Sequence, residues 1–306
     1  MTHEQAEHRR GLIYGTSAYL LWGLFPLYFP LLEPADTTEI VGHRIVWALV
    51  AMAVLLAVTA GFRPFLDLLR DRRRALLIGT AAVLVAINWF VFIYAVTTDH
   101  VIEAALGYFI NPLVSAAFGI AFFRERLRPW QAIAFGLAAV AVVVLTLDYG
   151  RLPWIALALA FSFGTYGLVK KLAGVGAAEG LALETLVLLV PAAAYLLVLE
   201  AQGTGTFAHE SLGHTLLLIS SGPVTMIPLL LFSAAVTRIP LTVTGMLQYL
   251  GPAIQFLIGL FVLGEAMPAS RWAGFVLVWT ALAILTVEGL RAAQRARPEQ
   301  IAPEPA

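Results

Sequence analysis

The chain has 306 residues, of which 60% are hydrophobic and only 12% are charged. A soluble globular protein carries about 25% charged residues, so a soluble fold of this length lacks the polar surface that must face water. The net charge of zero argues against a nucleic-acid partner, and the absence of cysteine excludes disulfides and cysteine-ligated metals. Most of the chain is therefore predicted to lie in the lipid bilayer.

Apolar segments of about 20 residues, the length that crosses a bilayer, recur along the whole chain. We predict ten spans: residues 11–31, 39–60, 75–96, 101–122, 130–147, 153–171, 180–199, 213–233, 239–262 and 270–290. The first follows Arg9 and Arg10 and is too long for the apolar core of a signal peptide, so it is expected to be retained. The predicted fold class is an all-α membrane protein with short tails at 1–10 and 291–306.

Basic residues indicate the orientation, because they concentrate on the cytoplasmic side of membrane helices. With ten alternating spans and a cytoplasmic N-terminus, sixteen of the nineteen basic residues fall in cytoplasmic segments. Arg151 and Arg271 fall in segments on the outer side of the membrane, and Arg44 falls within a span. The basic run at 70–74 is interpreted as a topology anchor rather than a nucleic-acid patch. The sequence predicts a multi-pass protein of the cell inner membrane with both termini in the cytoplasm.

The two halves of the chain match when the sequence is shifted against itself by 140 residues. Glycine, proline, glutamate and polar positions coincide: Pro112 with Pro252, Gly119 with Gly259, Glu125 with Glu265, Tyr108 with Gln248, and Ser115 with Gln255. A shift of 141 brings Trp22 onto Phe163. Each half, 11–147 and 153–290, then holds five spans, and because five is odd the second half is inverted. Inverted repeats are typical of secondary transporters, whose substrate site lies at the repeat interface near mid-membrane.

Polar residues form a stripe along one face of the fourth span, and a similar stripe recurs in the ninth. Tyr108 and Asn111 follow helical spacing, and Gln248 occupies the matching place in the second half. A polar stripe that faced lipid would be costly, so both are predicted to face a shared cavity, with tight helix packing as the alternative. Pro112 and Pro252 are expected to kink the helices beside the stripes.

Other polar and aromatic residues lie at depths that suit the same cavity. The predicted solute-binding residues are Trp22, Arg44, Asn88, Trp89, Glu103, Tyr108, Asn111, Tyr166, Thr225, Gln248 and Tyr249. Taken singly, each aromatic residue also fits ordinary packing or an interfacial belt. Arg44 and Glu103 lie near the outer ends of their spans and are predicted to pair, because an isolated charge in hydrocarbon is costly. That pair is either a static contact or one that opens during a functional cycle.

The remaining intramembrane glutamates have simpler interpretations. Glu184 is expected to reach towards Lys170 or Lys171, and Glu288 to lie at the interface near Arg291. The six histidines show no metal-ligand spacing, and the motifs of metalloproteases, P-loop proteins and serine hydrolases are absent. We therefore predict no enzyme, no metal and no cofactor. The alternatives left open are a membrane scaffold or sensor and, ranked lower, an intramembrane enzyme.

Several motifs resemble those of the RarD-type permeases, in the EamA branch of the drug/metabolite transporter superfamily. They are His43-Arg44, Asn88-Trp89, the run EAALGYFINPL from Glu103 to Leu113, and Gln248-Tyr249-Leu250-Gly251-Pro252. The resemblance covers about residues 11–290, with one departure at Ala105, where a serine is expected. It implies ten helices in two inverted five-helix repeats and a permease, often an exporter, for a small organic solute. Proton coupling, a homodimer and the substrate itself are left open.

Overall fold

The computed structural model describes residues 3–58, 63–123 and 128–295, and every regular element in these residues is a helix. In chain order the elements are α1 (His3–Gly23), α2 (Phe25–Tyr28), a 3-10 turn (Phe29–Leu32), α3 (Thr37–Val58), α4 (Arg63–Arg70), α5 (Arg72–Thr97), α6 (Val101–Phe123), α7 (Pro129–Tyr149), α8 (Trp154–Ala173), α9 (Ala177–Gln202), α10 (Leu212–Val236), α11 (Leu241–Leu247), α12 (Leu250–Phe261) and α13 (Ala269–Arg295). The all-α fold predicted from the sequence is confirmed.

The described residues contain nine helical segments that are long and apolar enough to cross a membrane. The remaining predicted span, which is the first in the chain, is a bent pair in which residues 5–23 and 25–32 meet at an angle of 43°. The ninth span has a short break between α11 and α12, at Gln248 and Tyr249. Ten spans are therefore present when the bent pair counts as one, and both breaks lie beyond what hydropathy alone predicts.

The short helix α4 was not predicted from the sequence, because eight residues are too few to give a clear periodic signal. Its Leu68 is 5% exposed and packs in a small apolar cluster with Ile78, Ala173 and Leu183. The next helix, α5, is capped at its N-terminus by Asp71, whose carboxylate accepts a hydrogen bond from the Arg74 backbone N–H at 3.1 Å. The basic stretch between the second and third spans is thus helical rather than an extended loop.

The chain divides into two compact units. One consists of Met1–Asn111 and Trp154–Ala266, and the other of Pro112–Pro153 and Met267–Ala306. In the larger unit the main helix contacts are α5 with α8, α10 with α3, α3 with α9 and α1 with α10. In the smaller unit α7 packs along α13.

The helix contacts repeat when the two halves of the chain are exchanged. In the repeat, each span of the first half corresponds to the span five places later in the second half. The contact between the third and sixth spans (α5 with α8) therefore corresponds to the contact between the eighth and first spans (α10 with α1), and both contacts are present. The contact of α3 with α10 likewise becomes that of α9 with α5, while those of α3 with α9 and of α7 with α13 map onto themselves. This pairing is consistent with the inverted repeat that the sequence matches indicate.

The two prolines in the polar stripes differ in their surroundings. Helix α6 continues through Pro112, whereas Pro252 lies in the first turn of α12, where its missing N–H needs no partner. The break in the ninth span therefore precedes Pro252 by a few residues. Glu125, which the repeat matches with Glu265, lies outside the described residues.

Candidate solute-binding site

Arg44 lies within α3 and is 4% exposed. Its guanidinium carbon lies 4.3 Å from the ring centroid of Trp89, 5.5 Å from that of Phe29 and 5.6 Å from that of Phe25. The bend after α1 brings Phe25 and Phe29 to this position. Arg44 Nε and Nη1 are buried and have no hydrogen-bond partner. The rings stabilise the cation through their faces but leave these donors unsatisfied.

Asn88 is the centre of a buried hydrogen-bond network between α5, α6 and α8. It is 2% exposed, and its Oδ1 accepts a hydrogen bond of 3.0 Å from the hydroxyl of Tyr108. Its Nδ2 donates to Ser162 Oγ at 3.1 Å and to the backbone carbonyl of Leu159 at 3.3 Å. Three helices are thus tied together by one amide, which fixes the orientation of the Tyr108 ring.

Aromatic rings connect these two groups and extend beyond them. Phe92 lies with its ring centroid 6.0 Å from Phe29 and 5.7 Å from Tyr108. Phe163 lies 6.1 Å from Tyr108 on the other side and 5.8 Å from Tyr166. Ring separations in this range are those of favourable aromatic pairs. The structure therefore brings five predicted site residues into one continuous line: Arg44, Trp89, Asn88, Tyr108 and Tyr166.

A buried ion pair ends the line. Lys170 Nζ lies 2.8 Å from Glu184 Oε1, and the Tyr166 hydroxyl donates to Glu184 Oε2 at 3.3 Å. Glu184 is fully buried. The expectation that Glu184 reaches Lys170 or Lys171 is confirmed for Lys170, although the pair lies deeper in protein than an interfacial contact would.

Trp22 belongs to a second aromatic group. Its ring lies 5.3 Å from Tyr19 and 5.8 Å from Phe232, and its backbone carbonyl accepts a hydrogen bond of 3.0 Å from Gln255 Nε2. Gln255 Oε1 is buried without a hydrogen-bond partner. The amide of Gln255 therefore keeps a free acceptor beside the bent first span.

Several other predicted site residues are placed separately from the line. Asn111 Oδ1 is buried and has no hydrogen-bond partner, whereas Gln248 and Tyr249 form the partly buried break in the ninth span. Thr225 donates to the backbone carbonyl of Ser221 in its own helix, as packed threonines often do. Asn111 thus has a free polar atom in the interior, while Thr225 shows an ordinary structural contact.

The predicted ion pair between Arg44 and Glu103 is not formed. Glu103 Oε1 accepts a hydrogen bond of 3.1 Å from the backbone N–H of Ile155, near the start of α8. A carboxylate at a helix N-terminus is favourable because it meets the unpaired N–H groups there. Among the described residues no carboxylate pairs with Arg44, whose neighbours are aromatic rings instead. Equal depth in two spans did not predict contact, because depth says nothing about which helices are adjacent.

Glu39 forms a polar cluster that the sequence did not single out. Its Oε1 accepts hydrogen bonds from the backbone N–H and hydroxyl of Thr206, at 2.7 and 3.0 Å. His214 Nε2 lies 2.8 Å from the same hydroxyl, and His43 Nε2 lies 3.9 Å from Glu39 Oε1. A cavity of about 320 Å³, lined in part by Glu39, His43 and Phe207, adjoins the cluster. The described residues contain no group of three or more His, Cys, Asp or Glu that could hold a metal ion.

Four residues of the site were missed in the sequence, and each lacked a signal of its own. Phe25, Phe29 and Phe92 are indistinguishable in sequence from the other phenylalanines of an apolar chain. Ser162 lies beside Phe163, and small hydroxyl residues are common in helix contacts. The bend after Gly23 places Phe25 and Phe29 in the site, and such a bend is not visible in hydropathy.

A bundle of paired, inverted halves with a buried line of polar and aromatic side chains is the architecture of a membrane transporter. A family model described as the EamA-like transporter family matches residues 9–147. "Protein RarD" of Streptomyces exfoliatus is 51% identical over 95% of this chain and 92% of its own length. An "uncharacterized transporter" of Vibrio cholerae is 40% identical over 97% of this chain and 98% of its own. The chain belongs to the EamA-like transporter family and is a relative of the RarD proteins.

A solved structure described as the crystal structure of a protein has the same fold. It superimposes with a TM-score of 0.59 at 18% identity, over 92% of this chain and 98% of that one. Family membership identifies a multi-pass membrane transporter and points away from an enzyme.

Proposed function

We propose that this chain is a secondary transporter or facilitator that moves a small organic metabolite or drug-like solute across the inner membrane, in the direction of export. The observation that carries the proposal is the line of side chains from Arg44 to Lys170, because it contains buried polar groups that a purely structural bundle has no need to hold. Buried polar groups in membrane helices are costly and typically mark a solute or ion pathway.

The line extends through about half of the thickness of the membrane core. Gly42 in α3 packs against Leu196 near the end of α9, so these two helices run antiparallel. Glu184 lies twelve residues before Leu196, and Arg44 two residues after Gly42. At a rise of 1.5 Å per residue, Arg44 and Glu184 lie about 15 Å apart along the helices. This is about half of a hydrocarbon core of about 30 Å.

The chemistry of the line suits a small amphipathic solute. Tyr108, Phe163 and Tyr166 offer aromatic faces, while Asn88 and Asn111 offer amide groups. Solute sites combine apolar walls with a few polar groups that fix orientation. Trp22 of the first span and Gln248, Tyr249 and Gln255 of the ninth are proposed to contribute to the same lining.

Transport by purified protein in sealed vesicles tests this proposal. Vesicles loaded with a mixture of cellular metabolites are followed for efflux by mass spectrometry, with and without an imposed pH gradient to detect proton coupling. Faster efflux of a subset of solutes, reduced in Asn88→Leu and retained in the exposed Val190→Ala control, supports it. Efflux that matches protein-free vesicles for every solute contradicts it and favours a scaffold or sensor.

A further inference from the structure

Arg44 and Glu184 occupy equivalent positions in the two halves of the chain. The shift of 140 residues that aligns the repeats places Arg44 on Glu184 and Glu39 on Glu179. Both Arg44 and Glu184 are at least 96% buried, and each lies in the first half of its span, five residues after a glutamate. The repeat thus carries a buried charge at the same place twice, with opposite sign.

The neighbours of the two charges are equivalent as well. The shift of 141 that aligns the first and sixth spans places Phe25 on Tyr166 and Phe29 on Lys170. In the first half Phe25 and Phe29 present their rings to Arg44, at 5.6 and 5.5 Å. In the second half Tyr166 and Lys170 contact Glu184, at 3.3 and 2.8 Å. In both halves, the buried charge is therefore contacted by the same two positions of the preceding span.

The two sites differ in whether the protein supplies the opposite charge. Glu184 has Lys170, but the position equivalent to Lys170 is Phe29, which carries no charge. The ionisable groups that act on Arg44 are the phenols of Tyr28 and Tyr108, which are neutral at physiological pH. Arg44 Nε and Nη1 have no hydrogen-bond partner. A buried cation without a counter-ion is strongly unfavourable, so a vacant counter-ion position implies a ligand that fills it.

We propose that Arg44 binds an oxyanion of the transported solute, a carboxylate or a phosphate monoester, which takes the place that Lys170 fills for Glu184. This inference rests on the proposed function and specifies its substrate class. The rings of Phe25, Phe29 and Trp89 cover the faces of the guanidinium, so the anion meets its N–H edge, where planar oxyanions bind. The surrounding rings exclude water, which strengthens the charge pair.

Ligand-dependent thermal unfolding of the purified protein tests the site directly. Formate, benzoate and inorganic phosphate are compared with benzamide, the neutral counterpart of benzoate, at constant ionic strength. We expect at least one of the three anions to raise the melting temperature, because a ligand that binds the folded state stabilises it, and benzamide to have no effect. Formate and benzoate distinguish a carboxylate site from a phosphate site. No shift with any of the three anions overturns the proposal.

Variants assign the binding to Arg44. Arg44→Gln is expected to lower affinity for the anion by about tenfold or more, the usual effect of a lost charge-assisted hydrogen bond, while Arg44→Lys has an intermediate effect. Arg238→Gln is the matched control, since Arg238 is paired with Glu7 at 3.0 Å and lies outside the site. Equal affinity in Arg44→Gln and wild type overturns the proposal. Should Arg44→Gln fail to fold, Arg44→Lys with unchanged affinity does the same.

The experiments can contradict the proposed substrate class and the proposed transport function separately. If only neutral solutes are transported and no anion stabilises the protein, the transport function is supported and the oxyanion site is overturned. Anion binding that depends on Arg44, with no flux of any solute, supports the site and contradicts transport. Flux of carboxylates or phosphates that falls in Arg44→Gln supports both.

Discussion

Lys170 reaches Glu184 across the face of Gly180, where a side chain would overlap its ammonium group. The pair joins α8 to α9, and Glu184 is fully buried whereas Lys170 is 18% exposed at its side chain. A side chain at position 180 would therefore force the ammonium group of Lys170 to shift, so the geometry of the contact involves three residues rather than two. It ends the line of polar side chains that starts at Arg44.

Removing the lysine is expected to destabilise the protein. Lys170→Met leaves Glu184 buried with only the Tyr166 hydroxyl as a partner, and we expect a loss of about 2–4 kcal/mol in the free energy of unfolding. Lys171→Met, at the exposed neighbouring position, is the control and is expected to change stability by about 0.5 kcal/mol or less. Adding Glu184→Leu to Lys170→Met is expected to restore most of the loss. A double variant no more stable than Lys170→Met contradicts the ion pair.

A carboxylate introduced at position 29 is expected to pair with Arg44, as Lys170 pairs with Glu184. Phe29→Glu fills the vacant counter-ion position, so the loss of the buried phenyl ring is expected to be partly offset in the wild-type background and fully destabilising with Arg44→Gln. We expect a coupling of about 2 kcal/mol or more, measured by thermal unfolding of the two single variants and the double variant. Additive effects would show that position 29 and Arg44 do not face each other as described.

Asn111→Leu separates a binding role from a structural one. Because Asn111 Oδ1 has no hydrogen-bond partner, its loss removes an unsatisfied buried acceptor and is not expected to lower stability. Solute efflux is expected to fall about tenfold, as when a polar contact worth about 1–3 kcal/mol is lost. Gln248→Leu is expected to act in the same direction. Unchanged efflux in both variants would mean that the stripes serve packing alone.

The capping carboxylate Glu265 predicts a pH dependence of stability. Glu265 accepts hydrogen bonds from the backbone N–H groups of Val101 at 2.5 Å and Ile102 at 3.0 Å. Burial raises the pKa of Glu265 above its ordinary value of 4.5, although the two N–H groups oppose this. A raised pKa means that the folded state holds the proton more tightly, so this residue's contribution to stability is lost as the pH rises above 4.5.

Glu265→Gln removes this titration. The melting temperature of the variant is expected to fall less than that of wild type as the pH is raised from 4.5 toward neutrality. Glu210→Gln, at an exposed glutamate, is the control and is expected to retain the wild-type slope. Parallel curves for wild type and Glu265→Gln would contradict a raised pKa at this residue.

The basic residues predict an orientation of the bundle that is open to direct measurement. The wild-type chain has no cysteine, so single cysteines can be placed freely. Asp67→Cys in α4 is expected to be inaccessible to a membrane-impermeant thiol reagent in intact cells, and Gln202→Cys at the end of α9 is expected to react. The reverse pattern, or equal labelling at both positions, would contradict the prediction that both termini are cytoplasmic.

The sequence predicts the helices well and their contacts poorly, for a physical reason. Spans are set by hydropathy over about 20 residues, and each of the ten was found. Contacts depend on which helices are adjacent, which is why Arg44 was paired with Glu103 although its real neighbours are Trp89 and two phenylalanines. The Glu184–Lys170 contact was foreseen because both residues lie near the short connection between consecutive helices. Asn88 was foreseen as polar at mid-span, but its partner Ser162 was not.

Each half of the chain contains one broken span, but the break lies at a different position of the repeat in the two halves. The first span is broken after Gly23 and the ninth at Gln248 and Tyr249, whereas their repeat counterparts α8 and α6 are continuous. One chain therefore holds the same five-helix unit in two shapes at once. If the halves exchanged shapes, the result would be the same architecture facing the opposite side, with nearly the same internal contacts. The free-energy difference between those two states then comes only from positions where the halves differ, so substitutions that make the halves more alike should bring their populations closer.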